Sequence, residues 1–184
     1  MASRFRRAHP DDAPAIAHAY VEAWRDTYPG LVPDEALLNK SPEIQAVRWA
    51  RVIDRAIEKK SPEIVVVAED RTQGVIGVGT CGPNRQRRSG FAGEVYALYI
   101  HPDFQEQGNG RGLLLRLFEE LSGAGLDSVV VWVLAANPSR YFYEAMGGRR
   151  EFERVERLWG ADLKETGYGW PDLTKAIEAL GDSP

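Results

Sequence analysis

The stretch of sequence that decides the fold is Gln105-Glu106-Gln107-Gly108-Asn109-Gly110-Arg111-Gly112-Leu113-Leu114, which lies between a predicted strand and a predicted amphipathic helix. Its glycines let backbone amides approach a ligand closely, and free amides at a helix start, aided by the helix dipole, favour phosphate or pyrophosphate. A dinucleotide fingerprint is excluded because Leu113 stands where it requires glycine, and a P-loop is excluded because Gly-Lys-Ser/Thr is absent. The loop predicts another kind of anion site, although a turn that only starts a helix fits the glycines equally well.

The segments on either side of this loop predict a mixed sheet with helices on both faces. The stretch 128–134 is almost continuously apolar, which is typical of a central strand covered on both faces. Helix caps, turn residues and apolar periodicity indicate the other elements. The helices run from Asp11 or Asp12 to Tyr28, from Ser41 to Lys59-Lys60, from Arg111 onward, from Asn137 to Gly147 and over 172–180; the strands are Glu63 to Ala68, Val75 to Thr80, Glu94 to Ile100, Ser128 to Leu134, Glu151 to Leu158 and Leu163 to Trp170. This order predicts an α/β or α+β fold.

The composition of the chain excludes several classes of partner and of site. The chain has 23 Lys+Arg and 27 Asp+Glu, a net charge of −4, which argues against nucleic acid or an anionic membrane as partner. Cys81 is the only cysteine, so an internal disulfide and a thiolate zinc cluster are excluded, and the three histidines lack metal-ligand spacing, so no metal is expected. The sequence has no apolar stretch suited to a signal peptide or a membrane span, so we expect a cytoplasmic protein. Residues 1–184 suit one domain.

The pattern Gln105-x-x-Gly108-x-Gly110-Arg111-Gly112-Leu113-Leu114 resembles the acetyl-CoA-binding motif of the GNAT family of N-acetyltransferases, whose first position is Arg or Gln. The stretch 94–103 resembles the family's strand before the motif, and Asn137 with 142–148 resembles its later motif. The likeness runs from the helix of Ile16 to the strand of 168–170. It implies a GNAT-like sheet that is mixed, mostly antiparallel and splayed at its central strands.

The resemblance also implies acetyl-CoA as co-substrate. Amides from Gln107 to Gly112 would hold the pyrophosphate of CoA, and the backbone of the strand ending at Ile100 would pair with the pantetheine arm as an added strand would. Asn137 would bond the same arm in addition to capping the helix that follows it. Tyr143 would protonate the departing CoA thiolate; otherwise it is a core aromatic. The implied cofactor residues are Leu98, Tyr99, Ile100, Gln105, Gln107, Gly108, Asn109, Gly110, Arg111, Gly112, Asn137 and Tyr143.

Other residues would serve the amine acceptor. An amine must be neutral to accept an acetyl group, so a base has to remove a proton, and Glu94 is the candidate; its other reading is a solvated edge carboxylate. Trp24 and Tyr28 would help to wall the acceptor pocket, although aromatics at helical spacing are more often core. The run Arg85-Gln86-Arg87-Arg88 would steer an anionic substrate or, as charge runs more often do, form a solvated surface. Cys81 is interpreted as a small buried apolar residue rather than a nucleophile.

Taken together, the residues predict an enzyme that moves an acetyl group from acetyl-CoA directly to a primary amine of a small molecule or peptide, without a covalent enzyme intermediate. Two other classes remain open. A catalytically idle acyl-CoA-binding or sensor domain would keep the glycine loop but would need neither Glu94 nor Tyr143, and a structural module would bind no ligand. The last two strands leave edges that would allow pairing in a homodimer.

Overall fold

One seven-stranded sheet, in the order β1-β2-β3-β4-β5-β7-β6, organises the computed structural model, which describes residues 3–38, 40–86 and 89–182. Neighbouring strands are antiparallel except for the parallel pair β4 and β5. The prediction of a mixed, mostly antiparallel sheet is therefore confirmed. The strands are β1 (Arg4–Arg7), β2 (Ile64–Asp70), β3 (Gly74–Pro83), β4 (Gly93–Ile100), β5 (Val129–Leu134), β6 (Arg149–Leu158) and β7 (Ala161–Trp170), and the helices are α1 (Ala13–Thr27), α2 (Asp34–Leu38), α3 (Pro42–Ile57), α4 (Asn109–Gly123), α5 (Arg140–Ala145) and α6 (Leu173–Asp182).

Helices cover both faces of the sheet, as predicted. On one face α4 and α6 pack over the strands through a core that includes Leu113, Leu117 and Phe118, none of which is exposed. On the other face α1 and α3 bury Ile16 and Ile53 against β2 and β3. In the described residues, no helix has both the length and the apolar character that crossing a membrane requires.

Two elements were missed by the sequence analysis. β1 contains a single apolar residue, Phe5, among arginines, and α2 is only five residues long, so neither has a recognisable apolar period. Strand β3 also continues to Pro83, into the stretch predicted as a loop. Helix α5 begins at Arg140, three residues after the predicted start at Asn137.

The two predicted N-terminal caps have different outcomes. Ser41 caps α3 as expected, since its hydroxyl accepts a hydrogen bond from the backbone N–H of Ile44 at 3.2 Å. Asp12 precedes α1 but does not cap it. Its carboxylate instead accepts the backbone N–H of His9 at 2.7 Å and the guanidinium of Arg6 at 2.7 and 2.9 Å. Asp12 therefore stabilises the turn before the helix.

The sheet is splayed at its centre. Strand β4 pairs with β5 only over Gly93–Val95, opposite Val129–Val131. The rest of β4 continues along β3 as far as Ile100, with an irregularity in register between Thr80 and Cys81. Beyond Val95, the edge of β4 that faces β5 has no strand partner among the residues that the structure describes. This opening positions the candidate site.

We expect Gly112→Ala to destabilise the fold, because a Cβ at this position would lie 2.3 Å from two atoms of the Phe5 ring. Overpacking of this kind costs about 1–3 kcal/mol in the free energy of unfolding. Thermal unfolding followed by circular dichroism measures the loss, and Phe5→Leu added to Gly112→Ala should recover part of it. The matched control is Gly123→Ala at the other end of α4, where a Cβ meets nothing within 4 Å; equal melting temperatures for Gly112→Ala and this control would contradict the prediction.

Candidate functional site

A cleft of about 1050 Å³ opens where β4 and β5 part. It is walled by the second half of β4, by β5, by the glycine loop and α5 on one side, and by the end of α1 and the β6–β7 hairpin on the other. The fold thus brings together most of the predicted site residues. Those that line the cleft are Trp24, Tyr28, Glu94, Leu98, Tyr99, Ile100, Gln105, Gly108, Gly110, Arg111, Asn137 and Tyr143, whereas Gln107, Asn109 and Gly112 do not line it.

The glycine loop presents the uncapped start of α4 to this cleft. Gly108, with a φ of 82°, occupies the left-handed region, and no side chain caps the helix. Within the described part of the chain, the backbone amides from Gln107 to Gly110 donate to no protein acceptor. A Cβ added at Gly108 would meet no protein atom within 4 Å, and one at Gly110 would meet only the Phe142 ring, at 3.3 Å. Unpaired amides beside empty space at a helix N-terminus suit a phosphate group.

Polar side chains hold this loop in shape. The amide nitrogens of Gln105, Gln107 and Asn109 donate to the carbonyl oxygens of Ile100 at 3.0 Å, Asp103 at 2.8 Å and Phe104 at 2.8 Å, respectively. These three side chains therefore stabilise the loop, and the groups that remain available to a ligand are its backbone amides.

The prediction for one residue of this loop, Gly112, needs correction, and the side chain of a second residue, Arg111, has a structural partner. The Gly112 amide was expected to hold pyrophosphate, but it donates to the Gly108 carbonyl at 3.0 Å and so belongs to the first turn of α4. Glycine is needed there because Phe5 lies against it. Arg111 lines the cleft, but its guanidinium donates to the carbonyl of Leu180 at 3.0 Å from Nε and 2.5 Å from Nη2. Arg111 thereby connects the loop to α6.

The open edge of β4 runs from the closed end of the splay toward the glycine loop. Leu98, Tyr99 and Ile100 lie on it. Across the cleft, Asn137 is only 3% exposed, and its Oδ1 accepts the backbone N–H of Ser139 at 2.8 Å. The prediction that Asn137 caps the helix is therefore wrong: α5 begins at Arg140 with Ser139 at its N-cap, and Asn137 stabilises the turn ahead of it. An amide-rich arm could extend along this edge as an added strand.

Tyr143 enters the cleft from α5 and is 7% exposed. Its ring contacts Phe142 in an edge-on arrangement and stacks on Tyr168. Burial, and to a lesser degree Tyr99, raises the pKa of the Tyr143 phenol. The hydroxyl therefore keeps its proton throughout the physiological pH range and is available as a proton donor.

An aromatic wall closes the other half of the cleft. The rings of Trp24 and Tyr28 stack with centroids 4.1 Å apart, and Trp159 meets Trp24 edge-on at 5.2 Å. The hydroxyl oxygens of Tyr28 and Tyr99 lie 3.5 Å apart, and burial raises the pKa of both phenols. Trp24 is 3% exposed, so it belongs to the core and to the cleft wall at once.

Glu94 lies at the closed end of the splay, where β4 and β5 still pair, and is 3% exposed. Its carboxylate is held by Arg85: the backbone N–H donates to Oε2 at 3.0 Å, and Nε and Nη2 donate to Oε1 at 3.1 and 2.5 Å. The alternative prediction that Glu94 is a solvated edge carboxylate is therefore wrong. The prediction that the arginine run forms only a solvated surface is wrong for Arg85, which binds Glu94. Gln86 also lines the cleft, whereas Arg87 and Arg88 fall outside the described residues.

Part of the cleft was not foreseen from sequence. These residues come from β5 and the β6–β7 hairpin, and they include Trp132, Arg154, Glu156, Leu158, Trp159 and Glu165. Arg154, Glu156 and Leu158 alternate along β6, so their side chains lie on one face of the strand. The sequence shows this alternation, but it does not show which face of the strand lines the cleft. Arg154 lies over the Trp132 ring at 4.0 Å and donates to Glu165 at 2.6 Å.

Cys81 is remote from this chemistry, as the sequence predicted. It is fully buried, and its thiol contacts the Leu117 carbonyl at 3.7 Å. Burial, together with the charge of Glu120, raises the pKa of the Cys81 thiol to about 12. The thiolate that a nucleophilic role requires is absent at neutral pH.

Comparison with known proteins agrees with the geometry. The model of the Acetyltransferase (GNAT) family matches residues 16–148. A Bacillus subtilis (strain 168) protein named uncharacterized N-acetyltransferase YuaI is 36% identical over 175 residues, which are 95% of this chain and 96% of that protein.

Two solved structures share the fold. One is yncA from Salmonella typhimurium with its cofactor acetyl-CoA, at a TM-score of 0.69 and 24% identity, covering 94% of this chain and 95% of that chain. The other is paia N-acetyltransferase from Thermoplasma acidophilum in complex with coenzyme A. Its TM-score is 0.67 and its sequence identity 19%, and the match covers 90% of this chain and 98% of that chain.

We expect the Cys81 thiol to be inert in the folded protein. Because its pKa is raised to about 12, almost no thiolate forms at mildly alkaline pH, and burial keeps reagents away. A chromogenic disulfide reagent should therefore react with one thiol only after the protein is unfolded in urea. Rapid reaction of the native protein would contradict this and would return Cys81 to the list of candidate nucleophiles.

Proposed function

Because this chain belongs to the GNAT family of acetyltransferases, we propose that it transfers an acetyl group from acetyl-CoA directly to the nitrogen of a primary amine. The observation that carries this proposal is the uncapped start of α4 beside an unpaired strand edge, both in one cleft. The fold is also that of the solved proteins from Salmonella and Thermoplasma, whose structures contain acetyl-CoA and coenzyme A.

The residues present fit the co-substrate. The amides of Gln107 to Gly110 would hold the pyrophosphate, which needs donors and no bulky side chain at Gly108 and Gly110. The β4 edge over Leu98 to Ile100, together with Asn137, would hold the amide-bearing pantetheine arm. Acetyl-CoA, when bound, supplies the thioester carbonyl that an amine nitrogen attacks.

Two side chains move the protons. The acceptor arrives as an ammonium, and Glu94, directly or through water, takes one proton so that the nitrogen lone pair is free. As the N–C bond forms and the C–S bond breaks, the nitrogen releases its second proton to solvent. Tyr143 Oη, which stays protonated because burial raises the pKa of its phenol, gives its proton to the departing sulfur, and the tyrosinate then regains a proton through solvent as Glu94 loses the one that it took. No protein atom becomes acetylated in this sequence.

The aromatic wall of Trp24, Tyr28 and Trp159 would hold the body of the acceptor. Acetyl-CoA-dependent release of CoA with a panel of amines tests the function: peptide amino termini, lysine, polyamines, aminoglycosides and other small amines. At least one amine should raise CoA release above the rate of acetyl-CoA hydrolysis. CoA binding without acceleration by any amine would favour the idle acyl-CoA-binding domain instead.

We expect Gly110→Val to weaken CoA binding by roughly tenfold or more, because the added side chain would enter the cleft beside the free amides, where its Cβ already lies 3.3 Å from the Phe142 ring. Isothermal calorimetry with CoA measures the affinity. Gly123→Val is the matched control, since it places the same side chain on the same helix, at the end where a Cβ meets nothing within 4 Å. Equal CoA affinity in Gly110→Val and wild type would contradict the assignment of the pyrophosphate site.

We expect Tyr143→Phe to lower kcat by roughly 100-fold while the KM for acetyl-CoA stays nearly unchanged, because the variant keeps the ring but loses the proton donor. Steady-state kinetics with an amine that wild type acetylates provides both constants. Tyr141→Phe, at the exposed neighbouring tyrosine, is the control. A Tyr143→Phe enzyme with full kcat would leave Tyr143 as a packed aromatic only.

A further inference from the structure

The Arg85–Glu94 contact has two unequal parts. Oε2 of Glu94 receives the backbone N–H of Arg85, whereas Oε1 receives both hydrogen bonds from the guanidinium. The carboxylate side chain is 3% exposed and the arginine side chain 62% exposed. A buried anion is thus covered by a cation that water can reach.

The backbone half of the contact is fixed by the loop. The Asn84 side chain donates to the Phe91 carbonyl at 2.9 Å and to the Ser89 hydroxyl, and its Oδ1 accepts the N–H of Gln86 at 2.8 Å. These bonds hold the main chain on both sides of Arg85. The guanidinium has no such restraint, so it can leave Oε1 while the backbone N–H stays on Oε2.

The departing guanidinium already has a second contact. It lies 4.2 Å from the centroid of the Tyr96 ring, and the Tyr96 hydroxyl is anchored to the Pro83 carbonyl at 2.6 Å. Stacking on an aromatic face stabilises a guanidinium that gives up a hydrogen-bond partner. The guanidinium therefore keeps its contact with the Tyr96 ring when it no longer binds Oε1.

We propose that the Arg85 guanidinium is an exchangeable counter-ion, which covers Glu94 Oε1 in the free protein and is replaced there by the ammonium of the acceptor. This inference rests on the proposed function, because it assigns the acceptor's charged nitrogen to Oε1. Exchange of one cation for another keeps the buried carboxylate paired throughout, which avoids the large penalty of an isolated buried charge. Arg85 is then a positioning residue that acts through Glu94.

The exchange selects a class of acceptor. Only a nitrogen that arrives positively charged can take the place of the guanidinium, so the site favours basic aliphatic amines over weakly basic aromatic amines. Once the ammonium is bound, its proton lies against the oxygen that receives it. Glu94 thus binds the charged form of the acceptor and then neutralises it.

Other charged and titratable groups border the same region. Tyr96 lies on the same strand, Glu63 lies ahead of β2, and Arg154, Glu156 and Glu165 line the cleft from β6 and β7. All of them are unchanged in a variant at position 85. Burial raises the pKa of the Tyr96 phenol and the charge of Arg85 lowers it, so the comparison with the Glu94→Gln background is needed to separate an effect on Glu94 from an effect on Tyr96.

The test is a double-mutant cycle of Arg85→Ala and Glu94→Gln, with kcat and KM for the amine measured from acid to alkaline pH. We expect Arg85→Ala to lower the amine KM roughly three- to tenfold at alkaline pH, because the acceptor no longer competes with the guanidinium. The pH dependence of kcat/KM should change as well, because Arg85→Ala removes the charge beside the proposed base. Arg85→Lys should restore the wild-type profile in part.

Controls separate this effect from damage to the fold. The KM for acetyl-CoA should change little in Arg85→Ala, whereas the melting temperature should fall because a buried carboxylate loses its cation. Arg71→Ala, at an exposed arginine in the β2–β3 turn, should behave as wild type. In the Glu94→Gln background the removal of Arg85 should have no effect. An aliphatic amine should gain relative to a weakly basic aromatic amine in Arg85→Ala, because only the charged acceptor pairs with the uncovered carboxylate.

Three results would overturn the proposal, and they differ in what else they overturn. An unchanged amine KM and pH profile in Arg85→Ala would contradict the exchange alone. Equal effects of Arg85→Ala with and without Glu94→Gln would show that Arg85 does not act through Glu94. A Glu94→Gln enzyme with wild-type rate and profile would overturn the base role itself, and the exchange with it.

Discussion

The structure depends on one constraint, which is that β4 and β5 stay paired for only three residues. A parallel pair that continued would bury the β4 edge in backbone hydrogen bonds and leave no opening at the centre of the sheet. Because the pairing stops at Val95, the two strands enclose a cleft whose floor is backbone. The glycine loop and α5 lie together on one side of that cleft, and the end of α1 and the β6–β7 hairpin lie on the other.

Several contacts far apart in the chain keep this opening in shape. Phe5 of β1 packs on Gly112, Arg111 reaches Leu180 at the end of α6, and Gln105 is tied back to the end of β4 at Ile100. A buried Glu120, bonded to Arg7 at 2.6 Å, fixes the same helix from its other end. The start of α4 is therefore held in place by contacts with other segments, although no side chain in the described residues caps it, and its free backbone amides suit an anion.

The half of the cleft that we propose for the acceptor differs in character from the half that would hold the co-substrate. Its charges occur as pairs, Arg85 with Glu94 and Arg154 with Glu165, set among tryptophan and tyrosine rings. Paired charges in a partly buried cleft can exchange partners at small cost, whereas isolated ones cannot. This arrangement lets a charged ligand enter without leaving a buried ion uncompensated.

Local patterns in the chain were sufficient to predict strands β2 and β3, the strand ending at Ile100 and the helix after the glycine loop. They were also sufficient to predict the family to which the chain belongs. These features depend on periodicity, turn residues and a short motif, which act over a few residues. The short β1 and α2 carry too few apolar residues to show a period, and their place comes from packing. The partners of Glu94 and Gly112, and the lining supplied by β6 and β7, were settled by contacts between segments distant in sequence. A side chain's type suggests its chemistry, but its partner, and hence its electrostatic environment, exists only once the strands have assembled.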